Sequence, residues 1–150
     1  MNSVEPIRAA LASRGRIWLR AYGESMLPFV RAGDILLVRR ENPFRLSRGD
    51  VLLYARGERL YAHRLVAKRW QGHQLLLQAK GDALPEVDPP FAAKELMGQV
   101  VAVWRGRRQI NPASLLHRLV AQAVSCLPAG YLGVRLLLRL GRQLSSQRRW

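Results

Sequence analysis

Apolar and polar positions alternate over Arg16–Ala21, where Ile17, Leu19 and Ala21 share one parity and Trp18 and Arg20 the other. A two-residue period of this kind marks a half-buried strand. The run Ile35-Leu36-Leu37-Val38 within Asp34–Arg39 predicts a second strand. Val51–Ala55 follows the turn signal Arg48-Gly49-Asp50 and predicts a third. Arg56-Gly57-Glu58-Arg59 reads as a hairpin turn into a strand over Leu60–Lys68, and Gln71-Gly72-His73 as a turn into Gln74–Ala79. Pro85 to Pro90 is a proline-rich loop, and Gly98–Arg105 is a last strand with β-branched Val100, Val101 and Val103. Ahead of all these, Ile7 and Leu11 sit four apart in a short helix over Glu5–Ser13. Short strands separated by frequent turns describe a small, mainly β domain of antiparallel strands.

The period changes at Asn111, a residue that caps helices, followed by Pro112, which suits a first helical position. Leu116, Leu119, Val120, Ala123 and Leu127 then fall on one helical face. Pro128 to Gly130 interrupts the pattern. Beyond it, Leu132, Leu136, Leu137, Leu140 and Leu144 line one side and Arg135, Arg139 and Arg142 another. The expected organisation is a domain over 1–110 and a basic, amphipathic helical tail over 111–150.

Charge sharpens this division. The 150-residue chain carries a net charge of +15. Residues 1–100 hold all 10 acidic residues, and residues 101–150 hold 9 basic residues and no acidic one. Such a tail fits a polyanionic surface. An anionic membrane is the expected partner, with Arg135, Arg139, Arg142, Arg148 and Arg149 near headgroups and Trp150 at the interface. Docking of its apolar face on the β domain is the competing expectation. Nucleic acid comes third, because no helix-turn-helix, zinc or RNA-binding signature accompanies the charge. The first 20 residues carry Glu5, Arg8, Arg14, Arg16 and Arg20 and no apolar stretch typical of a secretory signal. The longest uncharged run, Leu119 to Val134, falls short of the roughly 20 residues a span needs and contains Pro128 and Gly130. A cytoplasmic or membrane-associated protein is expected. Cys126 is the single cysteine, which excludes an internal disulfide framework and a multi-cysteine zinc site.

The candidate chemistry lies in Gly23-Glu24-Ser25-Met26-Leu27-Pro28, which links the first two predicted strands. A serine on such a loop, near a glycine that permits close backbone approach, can serve as an exposed nucleophile. A small residue, any residue, then Ser-Met-x-Pro, followed by the strand-opening Gly33-Asp34, resembles the signal-peptidase superfamily of serine endopeptidases, which includes the self-cleaving repressors. Further blocks agree in order: Arg48-Gly49-Asp50-Val51; Tyr61-Ala62-His63-Arg64-Leu65-Val66; Lys80-Gly81-Asp82 with Asp88 six residues on; and Gly98-Gln99-Val100. The resemblance spans about residues 16–105. It implies the mainly β peptidase fold of that superfamily, an acyl-enzyme mechanism without metal or cofactor, and substrates with small residues before the cut.

A serine hydroxyl needs a base to act near neutral pH. His63 stands where the family places it and matches the branch that uses histidine rather than lysine. Lys68 is the nearest lysine to it. On an uninterrupted strand it would point away from His63, which would share its side with Tyr61, Leu65 and Ala67. The resemblance also implies an aspartate that orients the base, with Asp82 and Asp88 both eligible. The Asn that usually follows this Gly-Asp is replaced by Ala83. The Ser25 N–H is the expected oxyanion donor. Gly23 stands where some relatives have a serine, so that position offers no side-chain donor. Met26 is expected near the cleft, and Pro28 completes the substrate and oxyanion region. Asp34 and Asp50 read as turn residues bonding nearby backbone N–H groups.

The expected activity is therefore cleavage of an extended leader or precursor peptide by a Ser25–His63 pair. A self-cleaving regulator is the alternative within the superfamily. It fits less well, because that branch uses lysine and carries a DNA-binding domain ahead of the catalytic one. A catalytically idle basic adaptor is the alternative outside it.

Overall fold

The computed structural model describes residues 4–112 and position 119. Helix α1 (Val4–Arg14) precedes eight strands: β1 (Arg16–Arg20), β2 (Ile35–Arg39), β3 (Val51–Arg56), β4 (Arg59–Gln71), β5 (Gln74–Lys80), β6 (Phe91–Ala92), β7 (Leu96–Arg105) and β8 (Arg108–Ile110). A single 3₁₀ turn, Ala93–Glu95, leads into β7. All the pairings are antiparallel, in the order β1-β2-β7-β3-β4-β5-β6, with β8 added to β7. The fold is thus mainly antiparallel β with one short N-terminal helix. The expected tail over 111–150 lies, beyond its first two residues and position 119, outside the described residues. Among the described residues, no helix is long and apolar enough to cross a membrane.

Strand β3 is buried on both faces, which explains its unbroken apolar run. Val51, Leu53 and Ala55 enter one core with Leu11, Leu36, Val38, Val100 and Val103. Leu52 and Tyr54 enter a second core with Leu46, Leu65, Leu77 and Phe91. The sheet therefore curls to cover both sides of its central strand.

The β3–β4 hairpin turns through Gly57-Glu58, with Arg56 opposite Arg59. Its register places Leu52 opposite His63 and Tyr54 opposite Tyr61. Directly opposed residues point to the same face, so Tyr54, Tyr61 and His63 share one side. Beyond His63, β4 is interrupted. Leu65 opposes Ala79 but Ala67 opposes Gln78, so an extra residue sits between them as a bulge. The expected alternation past His63 is corrected by this bulge, which turns Ala67 to the other face and brings Lys68, opposite Leu77, onto the side of His63.

Candidate active site

The loop that carries Ser25 is held at both ends. Ala21 and Asp34 close its base, the Ala21 N–H donating to Asp34 O at 2.8 Å and Gly33 N–H to Ala21 O at 2.9 Å. Gly23 has φ +81°, a conformation that disfavours any residue with a Cβ. The Asp34 carboxylate accepts from the Arg31 N–H at 2.9 Å and from Arg105 at 2.7 and 3.0 Å. Arg105 also donates to Phe29 O at 3.1 Å, tying the loop to β7. Asp50 accepts from the Ser47 N–H at 2.8 Å in the turn before β3. Both aspartates thus bond backbone N–H groups of their own turns.

The far side of the loop rests on the segment after β5. The Ala83 N–H donates to Ser25 O at 2.9 Å. A Cβ on Gly81 would lie 2.7 Å from Ser25 O and 2.8 Å from the Leu84 side chain, so only glycine permits this approach. The Asp82 N–H faces Met26 Sδ at 3.4 Å, and Met26 is buried beneath the loop.

Three of the candidate side chains meet in a row. The Ser25 hydroxyl lies 3.0 Å from His63 Nε2. His63 Nδ1 lies 2.5 Å from Asp88 Oδ2. A carboxylate offers only acceptors, so Nδ1 carries the proton and Nε2 turns its lone pair to the serine. His63 is buried, whereas Ser25 is only partly so and lines an open cleft.

The structure brings Asp88, not Asp82, to His63. The pairing of Asp82 with Arg64 is the physical reason: Arg64 Nε and Nη2 donate to its two oxygens at 2.8 and 2.7 Å. Arg64 further donates to Gly49 O at 2.7 Å and Pro112 O at 3.1 Å, and its guanidinium lies 5.5 Å from the Phe29 ring centroid. Because Arg64 follows His63 on the strand, it projects to the opposite face and takes Asp82 with it.

Lys68 now shares the face of His63, yet its ammonium is engaged elsewhere. It donates to Phe44 O at 3.1 Å and Leu46 O at 2.7 Å. Five residues of strand separate it from His63, roughly 16 Å at a normal rise. Lys68→Ala is expected to leave cleavage unchanged, and steady-state kinetics on any cleaved peptide would check this.

The sequence reading missed Tyr54. Its hydroxyl donates to Asp88 Oδ2 at 2.7 Å and lies 3.3 Å from His63 Nδ1. Its ring stacks on Phe91 with centroids 4.1 Å apart. Burial first, then the hydrogen bond to Asp88 and its charge, push the phenol well above its ordinary value of 10.0. The raised value has a stability consequence. Above about pH 10 the unfolded chain releases this proton while the folded chain keeps it, so folding loses up to about 1.4 kcal/mol per pH unit. The melting temperature of the native protein is therefore expected to fall faster in that alkaline range than that of Tyr54→Phe, in paired thermal melts. The hairpin register could have revealed Tyr54, since a two-residue turn at Gly57-Glu58 already places it on the face of His63.

The cleft in front of Ser25 and His63 has a volume of about 700 Å³. Gly23, Met26, Leu53, Ala62, Trp18 and Tyr22 are among the residues that line it. Pro28 is not among the lining residues, and its bond to Leu27 is cis. Among the described residues, no three of His, Cys, Asp and Glu converge as a metal-binding group.

Residues 3–101 match the Peptidase S24-like family. The chain belongs to that family. It is thereby a member of the serine peptidase superfamily of signal peptidases and self-cleaving repressors. No curated protein matches the chain. The matched range covers the nucleophile loop, His63 and both candidate aspartates of this S24-like domain.

Proposed function

We propose that this S24-like protein is a serine endopeptidase in which Ser25 is the nucleophile, His63 its general base and Asp88 the orienting carboxylate. The observation that carries the reading is the continuous row from Ser25 Oγ through His63 to Asp88, at 3.0 and 2.5 Å. His63 Nε2 accepts the serine proton as Oγ attacks the peptide carbonyl carbon. The Ser25 N–H then stabilises the resulting oxyanion. On collapse, the imidazolium returns its proton to the leaving amine and leaves an acyl-enzyme on Ser25. Water, deprotonated by the same imidazole, hydrolyses that ester and regenerates the hydroxyl.

The open, largely apolar cleft in front of Ser25 and His63 suits an extended peptide. That the peptide is a leader or precursor with small residues before the cut is the part of this proposal taken from the superfamily resemblance.

The test is digestion of a mixed peptide library, read by mass spectrometry, with native protein and Ser25→Ala in parallel. Cuts clustered after small residues, and absent with Ser25→Ala, support the proposal. Cuts that persist in Ser25→Ala refute it. Self-cleavage, the reaction of the repressor branch, would appear in the same spectra as two fragments of the chain and would point to a self-processing regulator.

A further inference from the structure

We infer that Tyr54 is a positioning residue of the catalytic row, holding the Asp88 carboxylate against His63 and thereby fixing which ring nitrogen of His63 carries the proton. This deepens the reading of Ser25, His63 and Asp88 as the catalytic set and rests on it for its effect on turnover.

Asp88 lies outside the regular strands, in the segment between β5 and β6. Its backbone is pinned, the N–H donating to Ala79 O at 2.8 Å and the carbonyl accepting from Gln78 Nε2 at 3.2 Å. These bonds fix where the residue sits and leave its side-chain torsions free. The carboxylate is about one-fifth exposed, so water competes for it. Two side-chain groups hold it in place: His63 Nδ1 and the Tyr54 hydroxyl, both on Oδ2. Of these, only Tyr54 is anchored independently of the catalytic row. It is almost fully buried on central strand β3 and clamped between Phe91 and Tyr61, with ring centroids at 4.1 and 5.6 Å.

The phenol is also matched to the task. Burial keeps it protonated, so it remains a donor and leaves Oδ2 as the acceptor. With the carboxylate pinned, the His63 Nδ1 proton has its acceptor in line and Nε2 is left bare toward Ser25. If the carboxylate turned to water, the two neutral tautomers of the ring would come closer in energy. The form with a proton on Nε2 cannot accept from Ser25.

The test is Tyr54→Phe, which keeps the ring stack and deletes only the hydroxyl. Nitrogen-15 chemical shifts of the neutral His63 ring report the tautomer without any substrate. The native protein is expected to show one tautomer, protonated at Nδ1, and Tyr54→Phe a mixture. On a cleaved peptide, kcat is expected to fall about 10- to 100-fold with KM unchanged, short of the about 10⁴-fold loss that a wrong tautomer causes. Adding Tyr54→Phe to Asp88→Asn should cost nothing further, because both act through the same carboxylate.

Native-like ring shifts in a folded Tyr54→Phe would overturn the inference, as would a loss carried by KM alone. If Tyr54→Phe does not fold, the native protein supplies a second measurement. A slowly exchanging Tyr54 hydroxyl proton should show a nuclear Overhauser effect to the His63 Nδ1 proton, and absence of that contact refutes the arrangement. The peptidase activity and the positioning role of Tyr54 can fail separately. A protein that cleaves no peptide, yet whose ring tautomer responds to Tyr54→Phe, refutes the peptidase reading alone. Cleavage that needs Ser25 and His63 but ring shifts that ignore Tyr54→Phe refute the positioning role alone.

Discussion

Ser25→Ala and His63→Ala are expected to abolish peptide cleavage, and Asp88→Asn to lower kcat/KM by about 10⁴-fold, all with an intact fold. The first two remove the attacking atom and its base. The third is the more informative, because it keeps the size and shape of the side chain. An amide can present N–H groups where the carboxylate presents oxygen, so it no longer selects the ring form with Nδ1 protonated. The serine hydroxyl then faces an N–H instead of a lone pair. Stability should be little affected, since the Asp88 backbone bonds to Ala79 and Gln78 remain, and the Tyr54 hydroxyl can turn to accept from an amide N–H placed where Oδ2 stood. Peptide cleavage and far-UV circular dichroism on the same samples separate the two effects. Folded Asp88→Asn with native kcat/KM would show that this carboxylate does not orient the base.

Asp82→Asn should do the opposite, lowering stability by about 3–5 kcal/mol through the folding equilibrium. Both partners of the Arg64–Asp82 pair are desolvated, with side chains only 7% and 4% exposed. Removing the carboxylate charge strands a buried guanidinium, and that penalty is not screened by solvent. The loss is structural as well as electrostatic, because Arg64 links the turn at Gly49, the segment at Asp82 and the carbonyl of Pro112. Urea unfolding of the native protein and the variant measures it directly. Replacing both partners by apolar residues of similar volume, as in Arg64→Met with Asp82→Leu, should recover much of the loss, because no unpaired charge remains. If Asp82→Asn matched native stability but lost cleavage, the assignment of the two aspartates would be reversed.

Much of the fold could be read along the chain. Every long strand announced itself, β1 by the period of two that a half-buried strand imposes, β2 and β7 by apolar or β-branched runs, and β3, β4 and β5 by the turn signals that open them. Helix α1 showed its fourfold spacing in Ile7 and Leu11. The short strands β6 and β8 did not, since two or three residues are too few to establish a period. Their pairing comes from partners far away in sequence, β6 on β5 and β8 on β7.

The site divided along the same line. Ser25 and His63 stood out because each sits in a block that, in residue types and in order along the chain, resembles those of the signal-peptidase superfamily. The choice between Asp82 and Asp88 could not be made locally. Both follow β5, and what separates them is that Arg64, on the opposite face of β4 from His63, captures Asp82 and leaves Asp88 for the imidazole. Lys68 is the same kind of case. Parity along an ideal strand turned it away from His63, the bulge after Leu65 turned it back, and only its bonds to the 44–46 loop remove it from the chemistry. Local patterning by itself determined which elements form and which serine and histidine are available. Tertiary structure alone decided which carboxylate reaches them, because that contact depends on how the segment after β5 meets the two faces of β4, whereas the face of Tyr54 was implicit in the local β3–β4 hairpin.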